Sequence, residues 1–421
     1  MKINRTYKYR LYPTVKQQKT IDYQLGLLRK IYNKFLKQRI YLYEKKGVRL
    51  NYYHQQNQLP LIKLNKPEYA DIYSRSLCYQ VRVLDMAFKN FFRRVKKGKT
   101  PGFPRFKGKN RINSIHYPQR GFKIVDGKLK LSKIGHIKLK QHREIDGTIK
   151  TCTITKTKSN KYYVCFVIEK EIAIKETKIE KAVGVDMRVR VFAQLSDGLT
   201  IQNPRTLKKY QTKLLKANRN LSKKKKGSKN KEKARKKIAK IHEKIVNTRL
   251  DFMHNQANFL IQNYDLIGIE KLLITNMTKS SKGTLENPGK MVKQKSELNR
   301  NILDVAWGKF FEILIYKAEE ANKIVQQVNP QYTSQKCSSC GFIFPENIGP
   351  QSNFKCKKCG FKINTFLNAS INIRNEAQKA VGCTVKACGG HDISQPMKQE
   401  TNTICRGTIT LLSFLCSIAS V

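Results

Sequence analysis

The chain has 421 residues, enough for two or three domains, and 40% of them are hydrophobic, which excludes a disordered basic tail. Its 85 Lys and Arg residues against 29 Asp and Glu give a formal net charge of +56. A surface this one-sided repels itself unless a polyanion neutralises it, so the charge favours a nucleic-acid partner over a merely basic, soluble protein.

Targeting signals are not evident in the sequence. The first residues lack the apolar core of a signal peptide, and no apolar run reaches the roughly 18 residues of a membrane span, so we expect no membrane association. Residues 408–421 are uncharged and fairly apolar, and we interpret them as a terminal extension. Only four of the eleven cysteines belong to Cys-x-x-Cys motifs and the rest are scattered along the chain. This distribution favours a reducing compartment over a disulfide framework. We therefore expect a cytoplasmic, nucleoid-associated protein.

The first hundred residues carry two helical patterns. Apolar residues recur at spacings of three and four over residues 21–35 and again over residues 77–95. This spacing places them on one face of each helix and predicts two helices that pack in a small bundle.

A period of two follows the helical region. Phe122–Val125 and Lys128–Ser132 flank an Asp-Gly dipeptide and predict a β-hairpin. The alternating segments Thr148–Thr157 and Tyr162–Glu169 predict two further strands. Helices inserted among the strands of one small barrel would explain this order, with a domain boundary near Lys181.

From Ala182 the order becomes an apolar strand, a polar strand over Val189–Asp197, a long helical region and a second apolar strand. The helical region, residues 205–249, carries 19 Lys or Arg and two acids. Residues 223–228 break it and predict a helical hairpin. A charge run is usually a solvated face, but two acids cannot screen nineteen bases, so we predict contact with phosphates.

Two of the apolar strands end in acids. Val183-Gly-Val-Asp186 and Leu266-Ile-Gly-Ile-Glu270 each place a carboxylate at the end of a buried strand. Either one alone could be a strand-end capping acid. Together, in so basic a chain, they indicate acids gathered at one sheet edge, as in nucleases that hold Mg²⁺ on a phosphodiester.

The cysteines give a more specific pattern. Cys337, Cys340, Cys356 and Cys359 follow the C-x₂-C-x₁₅-C-x₂-C spacing of a structural zinc site, and a glycine follows each pair. Four sulfur ligands leave no open position for water, so the predicted Zn²⁺ is structural. Together with the preceding motifs, in their order along the chain, this pattern points to one protein family.

The chain resembles the TnpB family of insertion-sequence-encoded, RNA-guided nucleases, which is related to type V CRISPR effectors. The resemblance covers roughly residues 1 to 400. The segments that carry it are Pro101-Gly-Phe-Pro-Arg-Phe-Lys107, Gly184-Val-Asp186, Leu221–Lys229, Ile267-Gly-Ile-Glu270, Asn301–Gly308, Tyr332–Gly341, Asn368-Ala-Ser-Ile-Asn-Ile373 and Met397–Glu400.

The resemblance implies a multi-domain α/β fold. Residues 1–180 would form a wedge-type β-barrel with a helical recognition lobe inserted at about residues 14–98. Residues 181–380 would form a RuvC-like nuclease domain of RNase H fold, interrupted by the zinc ribbon at about residues 333–362, and residues 381–421 a tail. It also implies a guide RNA from the element's own transcript and a double-stranded DNA target.

The resemblance also assigns the metal-binding acids. The first and second correspond to Asp186 and Glu270, but the third position is Phe366, which offers no oxygen ligand. Arg188 replaces the usual glycine beside the first acid, and its guanidinium could compete with Mg²⁺. Three other residues could supply the missing ligand, each unfavourably placed: Asn364, Glu376 and Asp304.

The leading hypothesis is therefore a guided DNA-binding protein whose RuvC-like, Mg²⁺-dependent cleavage is lost or strongly impaired. Phe366→Asp should restore some cleavage unless the site has changed elsewhere, Arg188 included. The alternatives are an active RNA-guided endonuclease completed by an unrecognised ligand, and an unguided zinc-ribbon protein that binds nucleic acid. The residues predicted to contact nucleic acid are Arg105, Lys107, Lys223, Lys224, Lys225, Lys226, Lys229, Arg235, Lys236 and Lys237.

Overall fold

The computed structural model describes residues 2–173 and 178–382. The region Met1–Cys383 forms one compact unit. The predicted tail, including its apolar segment 408–421 and the motif Met397–Glu400, lies outside the described residues apart from its first two positions.

The described residues form two larger sheets, a two-stranded ribbon and ten α-helices. The strands are β1 Lys2–Tyr12, β2 Ser114–Tyr117, β3 Phe122–Val125, β4 Lys128–Leu131, β5 Gly135–Lys140, β6 Thr148–Lys156, β7 Tyr162–Glu171, β8 Ala182–Met187, β9 Ala193–Leu195, β10 Thr200–Ile201, β11 Leu266–Glu270, β12 Ile324–Val328, β13 Asn353–Lys355 and β14 Lys362–Asn364. The helices are α1 Val15–Lys46, α2 Tyr52–Gln56, α3 Leu59–Asn65, α4 Ser74–Lys96, α5 Thr206–Ser222, α6 Lys229–Asn263, α7 Ile274–Met277, α8 Val292–Val305, α9 Trp307–Glu320 and α10 Thr365–Val381.

The first sheet has seven strands in the order β2-β6-β7-β1-β5-β4-β3. Its two edge strands, β2 and β3, follow each other along the chain with only residues 118–121 between them. This short link keeps the two edges near each other, so the sheet curls into a nearly closed barrel. Tyr9 and Phe166 are fully buried and their rings meet with centroids 6.0 Å apart in the core.

The helices α1 to α4 are inserted between the first and second strands of this sheet. Thr14 caps α1 in a reciprocal capping box with Gln17, and Gly47 ends the helix in the left-handed conformation. α1 and α4 pack through the apolar faces predicted from the sequence. A buried ion pair between Arg39 of α1 and Asp85 of α4, 3.2 Å apart, links the two helices.

The second sheet has five strands in the order β10-β9-β8-β11-β12. β8, β9 and β10 pair antiparallel, whereas β11 lies parallel to both β8 and β12. One face packs against α6 and α9 around the fully buried Phe310 and Leu260. The other face is covered by α10.

Most predicted strands are confirmed within about two residues, whereas the predicted helices exist but are longer: residues 21–35 lie within α1 and residues 77–95 within α4. The hairpin turn at Asp126 and Gly127 has positive φ at both residues, as a two-residue type I′ turn requires. The predicted strand Val189–Asp197 is wrong at its start, because a turn closed by the Arg188 N–H to Phe192 carbonyl bond delays β9 until Ala193. The central strand β1 was not predicted, although its apolar residues alternate.

Two glycines let α10 lie directly on the second sheet. A Cβ added at Gly184 of β8 would stand 1.9 Å from the Ser370 carbonyl oxygen of α10, and one at Gly268 of β11 would stand 2.9 Å from that of Ile373. Side chains alternate between the faces of a strand, so Asp186 and Glu270 share the α10 face with these glycines.

Gly184→Ala should destabilise the protein by about 3 kcal/mol or more, because the new methyl group forces the α10 backbone away from the sheet. Gly26→Ala in α1 is the matched control: nothing lies within 4 Å of its added Cβ, so it should be neutral or stabilise by up to about 1 kcal/mol. Chemical denaturation of both variants checks this. Equal stabilities would contradict the close packing of α10.

No helix within residues 2–173 and 178–382 is long and apolar enough to cross a membrane.

Candidate metal centre and nucleic-acid interface

The two predicted acids meet at one end of the second sheet. Val185 of β8 is the register partner of Ile269 of β11, so the next residue of each strand is an acid at the same edge. Both carboxylates are buried, and they repel each other electrostatically. Burial raises the pKa of Asp186 to about 7, against the opposing effect of Arg188 and with a further rise from Glu270.

Glu270 is held by a buried hydroxyl that sequence reasoning missed. The Thr333 Oγ1 donates to Glu270 Oε1 at 2.7 Å. Burial raises the pKa of Glu270, and this hydrogen bond acts in the opposite direction. Asn372 of α10 in turn donates to the Thr333 carbonyl oxygen at 2.9 Å. The Tyr-Thr-Ser sequence just before the first cysteine pair was the only signal available.

Phe366, the predicted third metal position, lies against Arg188, which is the ion-pair partner of Asp186. It belongs to the first turn of α10, and its ring centroid is 2.9 Å from the guanidinium carbon of Arg188. The Arg188 Nη1 donates to Asp186 Oδ2 at 3.2 Å. The positive charge of Arg188 also lowers the pKa of Glu270, against the larger rise caused by burial. The acid pair therefore faces a cation and an aromatic ring.

These residues do not fit a Mg²⁺ site. Mg²⁺ takes a near-octahedral shell of oxygens from one or two carboxylates, waters and substrate phosphates, but here the guanidinium already occupies Asp186 and the third position offers only carbon. The three residues considered as replacements are engaged elsewhere. Asn364 caps α10 through the Phe366 N–H, Glu376 pairs with Lys336 at 2.7 Å, and Asp304 pairs with Arg249.

The four predicted zinc ligands do come together. All four sulfur atoms lie within 4.8 Å of one another, with 3.8 Å between Cys337 and Cys359 and 3.6 Å between Cys340 and Cys356. A tetrahedron of 2.3 Å Zn–S bonds places its sulfurs about 3.8 Å apart, so the cluster fits Zn²⁺. When bound, the ion would cross-link the two loops that carry the cysteine pairs, residues 337–341 and 356–360.

The loops that carry the sulfurs have the same backbone construction. The Gly341 N–H donates to the Cys337 carbonyl oxygen at 2.9 Å, and the Gly360 N–H donates to that of Cys356 at 3.0 Å. Both glycines have positive φ, 77° and 74°, which other residues adopt only with strain. Each pair of thiols is thereby turned toward the same point.

Two asparagines of α10 fasten the ribbon to the helix. The Asn368 Oδ1 accepts from the Ser338 N–H at 2.9 Å, inside the first cysteine loop. Asn368 and Asn372 both donate to the Lys336 carbonyl oxygen at 2.7 Å. They are four residues apart and so share one helix face. Sequence reasoning used Asn368 only to locate the third acid.

The predicted basic hairpin is confirmed as α5 and α6, joined by residues 223–228. Its lysines and arginines are mostly exposed, Lys224 being half-buried. One of the two acids in the region, Glu243, faces the first sheet, where it accepts from Tyr163 at 3.0 Å and pairs with Lys161 at 3.2 Å. The exposed face of the hairpin therefore keeps nearly all of its positive charge.

The remaining predicted contacts lie in the loop after α4. Arg105 is exposed, whereas Lys107 is half-buried with its ammonium 5.5 Å from the Tyr32 ring centroid. Reciprocal hydrogen bonds between the Lys107 backbone and the Asn33 side chain, 2.8 and 3.0 Å long, attach this loop to α1. Among the described residues, no contact is seen between this loop after α4 and the α5–α6 hairpin.

Models of known protein families match the two regions that contain these sites. Residues 163–281 match a family model described as "Probable transposase" (OrfB_IS605), and residues 307–373 match one described as "Cas12f1-like, TNB domain". The chain is 33% identical over 338 residues to "Putative RNA-guided DNA endonuclease InsQ" of Escherichia coli K12, covering 80% of this chain and 81% of that protein. The chain belongs to the TnpB family.

Two further relatives match very different lengths of this chain. "Putative RNA-guided DNA endonuclease" of Streptomyces pristinaespiralis is 28% identical and spans 95% of this TnpB-family chain and 94% of its own length. "CRISPR-associated endodeoxyribonuclease Cas12f1" of Sulfoacidibacillus thermotolerans is 52% identical, but over only 60 residues, 14% of each chain.

A third family model, described as "Helix-turn-helix domain", matches residues 1–47. In this TnpB-family chain the same residues form strand β1 and the single long helix α1. A helix-turn-helix places a second helix in the major groove of DNA. The described part of this match, residues 2–47, contains one helix and so provides no such pair.

Proposed function

We propose that this TnpB-family protein binds a guide RNA transcribed from its own element, together with the double-stranded DNA that matches it, and no longer cuts that DNA. The named activity of its two long-matching relatives supports guided binding, as does the charge of +56. Base pairing would read the target sequence, while the protein contacts phosphates.

The fold supports assigning the second sheet to a RuvC-like domain. Three antiparallel strands followed by two parallel ones, with acids at the ends of β8 and β11, suit an RNase H fold. We assign residues 181–380 to this domain and residues 1–180 to the wedge-type barrel, with α1 to α4 as its recognition lobe. The zinc ribbon, at about residues 333–362, would be a structural part of the nuclease domain.

The observation that carries the loss of cleavage is the position of Phe366. Its side chain lies against the cation bound to Asp186, where a third carboxylate would be needed. Two-metal cleavage of a phosphodiester needs ions held in fixed geometry on both the attacking and the leaving oxygen. A ring and a guanidinium provide no oxygen ligands. Binding rests on charges spread over the chain and should survive.

Purification with the element's transcript tests this proposal. We expect one defined RNA species to co-purify, sequence-matched plasmid to be bound, and no cleavage to occur in Mg²⁺. Cleavage by the natural sequence would instead support an active endonuclease completed by another ligand. A heterogeneous RNA mixture, with binding that ignores the plasmid sequence, would support an unguided zinc-ribbon protein.

A further inference from the structure

We propose that the Arg188 guanidinium is the permanent cation of the acid pair, that it takes the place of a divalent ion, and that Phe366 holds it there. This inference rests on the proposed loss of cleavage and explains what replaces the metal. It makes the substitutions at positions 188 and 366 dependent on each other. Removing either one alone should not recreate a metal site.

The acid pair needs a positive charge when both carboxyl groups are ionised. Asp186 and Glu270 are both about nine-tenths buried and interact with each other unfavourably. Buried carboxylates are unfavourable unless a cation or hydrogen bonds compensate them. Arg188 comes from the turn after β8, and its Nη1 lies 3.2 Å from Asp186. Glu270 is instead held by the Thr333 hydroxyl, and the positive charge of Arg188 also lowers its pKa.

Phe366 has a positive role in this arrangement. Arginine stacks on aromatic faces because its planar cation is attracted to the ring and is weakly hydrated. The Phe366 ring lies 2.9 Å from the guanidinium carbon, on the α10 side of the acid pair. The ring therefore covers the guanidinium that binds Asp186. Position 366 therefore supplies no metal ligand, and its ring instead stabilises the Arg188 guanidinium.

A single reversal should fail for a specific reason. Phe366→Asp would place a third carboxylate next to Arg188, and the guanidinium would pair with it as it does with Asp186. The first turn of α10 accepts an acid readily, because the helix N-terminus favours negative charge. The Phe366→Asp variant should fold, but the Arg188 guanidinium should remain bound to the acids. Metal binding should need Arg188 removed as well.

The test measures metal binding directly, on the full-length, zinc-loaded protein without guide RNA. Mn²⁺ serves as the probe, titrated and followed by electron paramagnetic resonance. Four proteins are compared: the natural sequence, Phe366→Asp, the double variant Phe366→Asp/Arg188→Ala, and the matched control Phe366→Asp/Arg190→Ala. Arg190 is exposed in the same turn, so the control has the same net charge and keeps Arg188.

We expect only the Phe366→Asp/Arg188→Ala variant to bind Mn²⁺ at least about tenfold more tightly than the control, and to gain thermal stability when Mn²⁺ is added. Equal binding by Phe366→Asp alone would overturn the inference. So would a double variant that stays folded by circular dichroism but gains no Mn²⁺ site.

These outcomes are separate from the fate of the proposed function. Mn²⁺ binding needs no guide, target or cleavage, so a protein that fails to bind guide RNA would overturn the proposed function and leave the comparison informative. Conversely, a wild-type complex that binds its target without cutting would support the proposed function even if Phe366→Asp alone bound Mn²⁺.

Discussion

Raising the salt concentration from 50 to 200 mM should weaken binding of the guide RNA by about 10³-fold or more. Each lysine or arginine that neutralises a phosphate releases condensed counterions, and six to ten neutralised phosphates reduce the affinity by about 10³ to 10⁵ over this range. The α5–α6 hairpin alone offers more basic groups than that, most of them exposed. Fluorescence anisotropy at several salt concentrations measures the slope.

The hairpin's share of this slope can be isolated. Changing four exposed lysines at the turn of the hairpin to Gln should reduce the slope of log affinity against log salt by about one for each phosphate that is no longer neutralised. The four residues are Lys223, Lys225, Lys226 and Lys229. Changing the same four to Arg keeps the charge and should keep the slope. An unchanged slope in the Gln variant would place the phosphate-binding residues elsewhere on the protein.

Cys356→Ser should abolish stoichiometric zinc binding and unfold the ribbon. The four sulfurs converge on one point, and a structural Zn²⁺ contributes about 10 kcal/mol or more to the folding of the small domains that depend on it. Without the ion, the loops would lose the cross-link between their sulfurs and keep a small apolar cluster around Phe354, the β13–β14 pair and a few hydrogen bonds. Elemental analysis and limited proteolysis measure both effects.

The effect should extend beyond the ribbon into α10. Asn368 and Asn372 hydrogen-bond to the segment that enters the first cysteine loop, so unfolding this segment removes their partners. Cys78→Ser, at a half-buried thiol on α4 outside the cluster, is the control and should keep full zinc content. Unchanged zinc content in Cys356→Ser would refute the predicted site.

Features that depend on neighbouring residues were predictable from the sequence. The spacing of the cysteine pairs placed four thiols on two similar loops, and the composition of residues 205–249 predicted an exposed basic hairpin. The apolar runs ending in Asp186 and Glu270 predicted two strands with terminal acids. Each of these signals lies within a short segment, because periodicity and tight turns are set by local backbone geometry.

The tertiary structure decided which distant residues meet. Parallel pairing brings Asp186 beside Glu270 across more than 80 residues of chain, and α10 then brings Phe366 onto Arg188. Thr333 follows β12, the neighbour of β11, and donates to Glu270 while its carbonyl oxygen accepts from Asn372 of α10. The sequence predicted a missing metal ligand, but the contact between Arg188 and Phe366 depends on long-range packing. No local pattern encodes such a contact, because its partners come from separate elements of the fold.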